Sequence, residues 1–506
     1  MIAGIVGHRR AIGRYLLLGA LVLAPFMIWS PPDKPIIWRG AYLLLLVAMC
    51  VLALASRSAF VVACLLLIPA ALLHQHVSRH WGAGQLDARI EAIFESPPGE
   101  MREYLQGHVD ALDVTIIVCA VGYVVLLLYW TMSSGNAPSP VRRLAVALVI
   151  AGLVASAGVR FDRRLGKFPV YEAFVQPARA KQRYTQLASR NDFLRQHPLR
   201  QGDCRLRYDR VVIVLGESAV SDHMSVFGYP RPTTPFVLRS HAHAFDALSP
   251  SNQTRYSLVM MLTRASPGSF DSFYRSHSLV GELRSCGLRT LWISNQGRRG
   301  GSDSFSTSIA READEQVFLN DWSWKSVKFD GQIVQELDAR GSYQKSGQAT
   351  FIHLIGSHTK YLERVPAGFA PRPSSDIVSQ YDDTILYTDH VLSELYERFA
   401  GKSLLFIYVS DHGQLVSEER FGSGFQDGYQ EEFRTPLFIW TDDAQAIGTI
   451  RESIGASRIN LESFDDVVRY LTGLTPTLQI STRATVSILA PERVVEYSKL
   501  DSLPDD

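Results

Sequence analysis

The sequence predicts a two-part protein: an N-terminal bundle of five membrane-spanning helices, then a C-terminal α/β domain on a largely parallel sheet. Two observations carry this. The first 160 or so of the 506 residues hold five long apolar runs, and the rest alternates apolar and polar positions as a water-soluble domain does. In that second part, short β-branched runs recur with helical stretches between them, the pattern of parallel strands joined by crossover helices. Apolar residues make up 46% of the chain, ample for a core, which excludes a disordered chain. A net charge of +1, from 51 basic and 50 acidic residues, leaves no electrostatic footprint for nucleic-acid binding. Five cysteines exclude a disulfide-dense scaffold, and no CxxC pair is present to build a structural zinc site.

The apolar runs lie at about 13–30, 38–55, 59–75, 114–131 and 143–159, each near the length a bilayer core demands. His8, Arg9 and Arg10 precede the first run, but Pro31, Pro32 and Asp33 follow it in place of a small-residue cleavage pattern, so it reads as a retained span. Arg9, Arg10 and Arg14, then Arg57, then Arg142 and Arg143 mark the cytoplasmic ends; Arg39 runs against the rule. Five spans then place everything beyond residue 160 outside, in the periplasm of a bacterial inner membrane. The domains expected are 1–160, transmembrane, with an outer-side loop at 76–113; 161–205, a basic helical linker at the membrane surface containing Arg179, Lys181, Arg183 and Arg190; and 206–506, the soluble domain.

In the soluble half, strands are expected at 211–215, 290–293, 350–355, 404–409 and 436–440, with a helix over 376–399. Ligands of such sheets bind beyond the C-terminal strand ends. The residues just after the runs are Gly216-Glu217-Ser218, Ser294-Asn295-Gln296, Gly356-Ser357-His358 and Ser410-Asp411-His412-Gly413. A carboxylate, an Asp-His pair and a further histidine at successive strand ends offer oxygen and imidazole ligands suited to zinc first and manganese second.

At these residues a resemblance emerges. Val214-Leu215-Gly216-Glu217-Ser218, then Phe227-Gly228-Tyr229-Pro230-Arg231-Pro232-Thr233-Thr234-Pro235, looks like the opening of the catalytic domain of the bacterial phosphoethanolamine transferases. These are inner-membrane enzymes with a periplasmic domain of the sulfatase and alkaline phosphatase fold. Thr254-Arg255-Tyr256-Ser257 resembles the segment holding their nucleophilic threonine, the run from Tyr381 to Tyr387 their helix motif, and Ser410-Asp411-His412-Gly413 their metal-binding turn. The resemblance implies one zinc ion held by Glu217, Thr254, Asp411 and His412, with a second ion left open. It implies Thr254 as nucleophile, His358 near the transferred group as acid or base, and Asn295 and Gln296 as substrate-holding residues. It implies phosphatidylethanolamine as donor and a lipid A, lipopolysaccharide-core or glycan acceptor. Three features depart from the family pattern: no cysteine lies near Thr254, Gln414 stands where a glutamate often follows the glycine, and Gly422-Ser423-Gly424-Phe425 replaces a downstream histidine. Cys204 and Cys286, the two cysteines outside the spans, each precede a strand, which leaves their pairing open.

The chemistry is coherent. A threonine hydroxyl is a poor nucleophile until coordination lowers its pKa. Threonine attack on a phosphodiester yields a covalent intermediate that a second acceptor collects. Thr254 is equally placed to cap a helix over Tyr256–Leu262. Three alternatives are weighed. A sulfatase activity needs a C/S-x-P-x-R context, which Ser249-Pro250 and Thr254-Arg255 do not reproduce. A phosphoglycerol transferase shares the fold and the threonine. An inactive, lipid- or partner-binding relative would fit the missing histidine.

Overall fold

The computed structural model describes residues 15–24, 43, 45–49, 51–53, 56–81, 109–132, 185–200, 202, 204–296, 304–320, 329–341, 343, 345–369, 376–418, 420–425, 428–481 and 483–502. The chain divides into two compact units, the first closing at Gln182 and the second running from Arg183. That boundary falls inside the segment expected as a linker.

In the first unit, helix α1 covers Arg57–Trp81 and helix α2 Ala111–Met132. Among the described residues one stretch, Ser58–Val77, is long and apolar enough to cross a bilayer; Tyr15–Ala24 and Ala111–Leu127 are shorter apolar helices. The fifth expected span, 143–159, lies outside the described residues. Tyr15, Phe60, Cys64 and Leu127 pack into a small core, while Leu17, Val62, Leu66, Val118 and Leu126 point outward. That is the arrangement expected of helices that meet hydrocarbon on one face and each other on the opposite one.

The second unit is built on an eight-stranded sheet. Its strands are β1 (Arg210–Gly216), β2 (His243–Leu248), β3 (Arg289–Ser294), β4 (Glu315–Phe318), β5 (Gln348–His353), β6 (Leu404–Ser410), β9 (Arg434–Trp440) and β10 (Ile459–Asn460); a small hairpin, β7 (Leu415–Val416) with β8 (Phe421–Gly422), follows β6, and β11 (Thr485–Ser487) pairs with β12 (Val494–Glu496). The order is β10-β2-β9-β6-β1-β5-β3-β4. All neighbours are parallel except β9, which runs antiparallel to β2 and β6. Each expected strand is present within two residues of its expected start. Of the sheet's eight strands, β2, β4 and β10 were not anticipated. His243-Ala244-Phe245-Asp246-Ala247-Leu248 lacks the β-branched signature, and its extended form comes from pairing with β9.

Successive β1 residues serve opposite faces. Val211, Ile213 and Leu215 join one core cluster and Val212 and Val214 the other, all at most 1% exposed. Helices on both faces bury the sheet, so the run reads as continuously apolar. Burial of each such side chain is worth roughly 1.5–3 kcal/mol, which fixes the central strands and hence the loops they carry.

The segment 185–196 is helical, but Arg190 is not a surface cation as expected. It is fully buried, donating to Phe273 O (2.9 Å), Ser308 O (3.1 Å) and Glu312 Oε1 (2.7 Å). Arg179, Lys181 and Arg183 lie outside the described residues. Cys204 and Cys286 are joined in a disulfide.

Candidate active site

β1 and β6 run side by side with Gly216 opposite Ser410, so Glu217 and Asp411 leave the sheet together at its C-terminal edge. His353, at the end of β5, lies level with Leu215 of β1 and Ser294 of β3, which brings the Asn295-Gln296 turn into the same row. Glu217, Asp411 and His412 are all at most 2% exposed, and one ligand atom from each lies within 4.8 Å of the others. His412 Nε2 stands 3.5 Å from Glu217 Oε1 and 3.4 Å from Asp411 Oδ2.

Thr254 arrives from a different part of the chain. It is the first residue of helix α3 (Thr254–Leu262), and Gln253, not Thr254, occupies the N-cap. Its hydroxyl is therefore not spent on capping. Oγ1 lies 3.2 and 3.1 Å from the two oxygens of Glu217 and 3.2 Å from His412 Nε2. Thr254 is partly exposed above buried ligands, at a helix N-terminus that favours negative charge.

The surrounding groups hold this geometry. Ser218 adopts φ 57°, a left-handed conformation that costs a serine about 1 kcal/mol or more. In it, Ser218 N donates to Asp411 Oδ1 (3.0 Å) and its hydroxyl to Glu217 Oε1 (2.7 Å). Gln296 Nε2 donates to Glu217 Oε2 (2.8 Å) and to Leu354 O (3.0 Å), so Gln296 orients a ligand. Asn295 is fully buried and donates to Asp330 Oδ1 (2.8 Å), which removes it from the surface a substrate can touch. The turn at Gly356 has φ +49°, and a Cβ there would meet Glu217 O at 2.7 Å, so only glycine lets the two strand-end loops approach so closely.

His358 is partly exposed. Loss of hydration pushes its imidazole down to about 4; the charge of Glu217 opposes this, and Arg364 and His412 reinforce it. It is thus neutral near pH 7 and sits within the field of the site. Burial also works against a charged His412, but Asp411 and Glu217 outweigh it and raise that histidine above its ordinary value.

Several residues that sequence reading missed complete the site. Buried Asp330 accepts Ile355 N (2.9 Å) and Gly356 N (2.8 Å) and so shapes the turn facing Glu217. Gln414 donates to Ser218 O (3.1 Å) and Ser357 O (3.0 Å), stitching two site loops. Helix α4 (Ile377–Phe399) is the clamp. Tyr381 donates to Ser218 O and accepts Val220 N; Asp382 accepts from Tyr229 (3.0 Å) and Arg231 (2.7 Å); Asp389 accepts Phe236 N (2.7 Å) and Val237 N (3.1 Å). The Tyr229-to-Pro235 motif is thus a docking segment for α4. The only signal in the sequence was the co-occurrence of the two motifs.

The residues fit a divalent cation. Asp411 Oδ1 accepts two backbone N–H groups, from Ser218 (3.0 Å) and His412 (2.7 Å), while Oδ2 is buried with no hydrogen-bond partner among the described residues. An orphaned carboxylate oxygen is costly unless a cation faces it. His412 Nδ1 lies 2.7 Å from Gly413 O; donating there leaves Nε2 as a ligand. Two carboxylates, an imidazole and a hydroxyl suit zinc.

The sulfatase family profile matches residues 209–474, just over half of the chain. The chain belongs to the Sulfatase family. Its curated relatives agree with the resemblance read at Gly216–Pro235: phosphoethanolamine transferase OpgE of Escherichia coli K12 is 31% identical over 256 residues, 48% of either chain. The chain spans about half the length of the curated relatives it matches. Among solved structures, the integral membrane lipooligosaccharide phosphoethanolamine transferase A of Neisseria meningitidis has TM-score 0.62 at 16% identity, covering 92% of this chain and 96% of its own. The zinc complex of the periplasmic domain of Escherichia coli EptC has TM-score 0.50 at 22% identity, covering 59% and 94%. These two likenesses are of fold.

Proposed function

We propose that the protein transfers phosphoethanolamine from phosphatidylethanolamine to a periplasmic or outer-leaflet acceptor, a lipid, lipopolysaccharide core or glycan, through a phosphothreonine at Thr254. The observation that carries this reading is the position of Thr254 Oγ1, 3.1–3.2 Å from Glu217 and His412 and partly exposed. Glu217, Thr254, Asp411 and His412 would hold a zinc ion, which supplies charge to lower the hydroxyl pKa and to offset a phosphoryl oxygen.

In the first step, Thr254 Oγ attacks the donor phosphorus, the bond to the glycerol oxygen breaks, and diacylglycerol leaves with a proton. In the second, an acceptor oxygen attacks the phosphorus of the threonine-linked phosphoethanolamine, the bond to Thr254 Oγ1 breaks, and the acceptor's proton passes to the freed threonine. His358 would serve as the acid or base that relays protons between the reacting oxygens. Gln296 and Ser218 keep Glu217 aligned throughout. Residues 1–160 would anchor the enzyme in the inner membrane by five spans, 161–205 would lead along its outer face, and 206–506 would act in the periplasm. A bilayer-anchored site meets a diacyl donor at high local concentration.

Intact-mass spectrometry of the detergent-purified protein, incubated with phosphatidylethanolamine and no acceptor, tests the reading. A phosphoethanolamine-sized adduct on wild type and none on Thr254→Ala is expected. An adduct only with phosphatidylglycerol would move the assignment to phosphoglycerol transfer, and no adduct in zinc-loaded protein would favour an inactive, lipid-binding relative.

A further inference from the structure

The first unit holds a second cluster of ligand-type side chains. His76 and His80 lie one turn apart on one face of α1, their rings 4.8 Å from centre to centre, near the end of the apolar stretch Ser58–Val77. They meet Asp113 in the first turn of α2, and one ligand atom from each lies within 4.8 Å of the others.

The hydrogen bonding there is unbalanced. Asp113 Oδ2 is approached by His76 Nδ1 (3.1 Å), His80 Nε2 (3.1 Å), Arg79 Nη2 (2.7 Å) and the Asp110 N–H (3.4 Å), while Oδ1 of the same 3%-exposed residue accepts nothing among the described residues. His80 Nε2 also lies 2.9 Å from Arg79 Nη2. A ring nitrogen cannot accept from the guanidinium and donate to the carboxylate at once, so in either tautomer one of these contacts is repulsive. A cation among the two imidazoles and the carboxylate removes the conflict. Both histidines then present lone pairs, and the carboxylate uses both oxygens. Arg79 keeps a partner in Asp110 Oδ1, at 2.7 Å.

We propose that His76, His80 and Asp113 form a divalent transition-metal site, separate from the Glu217–Asp411–His412 centre, that clips the end of α1 to the start of α2. Two imidazoles and a carboxylate select zinc over magnesium or calcium. The clip joins residues 33 apart in sequence and so removes loop-closure entropy from the segment between them.

The test is the zinc content of the full-length chain in detergent, by elemental mass spectrometry after removal of loosely bound metal. Two equivalents are expected, falling to one in His76→Ala/His80→Ala and, independently, to one in Glu217→Gln. One equivalent in wild type, lost with Glu217→Gln, overturns the proposal and leaves the catalytic reading standing. Two equivalents that survive the histidine pair also overturn it. Should the double variant not accumulate, His80→Gln is scored the same way, and cobalt(II) titration of Glu217→Gln counts this site by itself: saturation at one equivalent is expected, and no binding is fatal.

Discussion

At the residue scale, the site depends on side chains that never touch the reacting atoms. Glu217 receives hydrogen bonds from Ser218 and Gln296 on separate loops, and these fix which oxygens face Thr254 and His412. Partners of this kind typically change metal affinity 10- to 100-fold when removed. Gln296→Ala is therefore expected to weaken zinc binding by about that factor, measured by competition with a chromophoric chelator, with folding intact. An unchanged affinity would mean that Glu217 is held by its backbone alone. Asn295, next in sequence to Gln296, should not behave this way, because its amide is committed to Asp330.

At the element scale, the loop after β8 is organised by one carboxylate. Glu432 is fully buried and accepts from Phe425 N (3.0 Å), Tyr429 N (2.9 Å), Gly424 N and Asn252 Nδ2 (3.1 Å), tying the loop to the segment just before Thr254. Burial pushes its carboxyl up to about 7 against the pull of those donors. A glutamate whose folded pKa lies above its unfolded value takes up a proton on folding. Its contribution to stability is complete below about pH 4.5 and is lost as pH rises through about 7, on the order of 3 kcal/mol. Thermal melts should show wild type losing stability between pH 5 and 7.5, and Glu432→Gln should flatten that slope even if it lowers stability overall. Equal slopes would place the buried charge elsewhere.

At the scale of the whole molecule, the disulfide and the membrane topology make one joint prediction. Cys204 and Cys286 are paired, and such bonds persist in oxidising compartments. The odd number of spans expected from the sequence would put the domain there. Mass-tagged maleimide applied to denatured protein from acid-quenched cells should label three of the five cysteines before reduction and five after. Five before reduction would place the domain on the reducing side. The link closes an 82-residue separation, so Cys204→Ser/Cys286→Ser should cost about 2–4 kcal/mol in the unfolding of the second unit.

The sequence by itself determined the α/β class, the central strands and the residues at their ends, because β-branched runs encode buried strands locally and parallel sheets place chemistry at their C-terminal edge. Glu217, Asp411 and His412 were legible for that reason. Thr254 was legible only through resemblance, since nothing in its neighbours distinguishes a nucleophile from a cap. What the tertiary structure alone decided is non-local. The pairing of Gly216 with Ser410, the turn of Gln296 toward Glu217, the use of Asp382 and Asp389 as anchors for the Tyr229–Val237 segment, and the burial of Arg190 against Glu312 all join residues far apart in sequence. Periodicity records which face of an element is buried, but it carries no information about which distant polar group will meet it there.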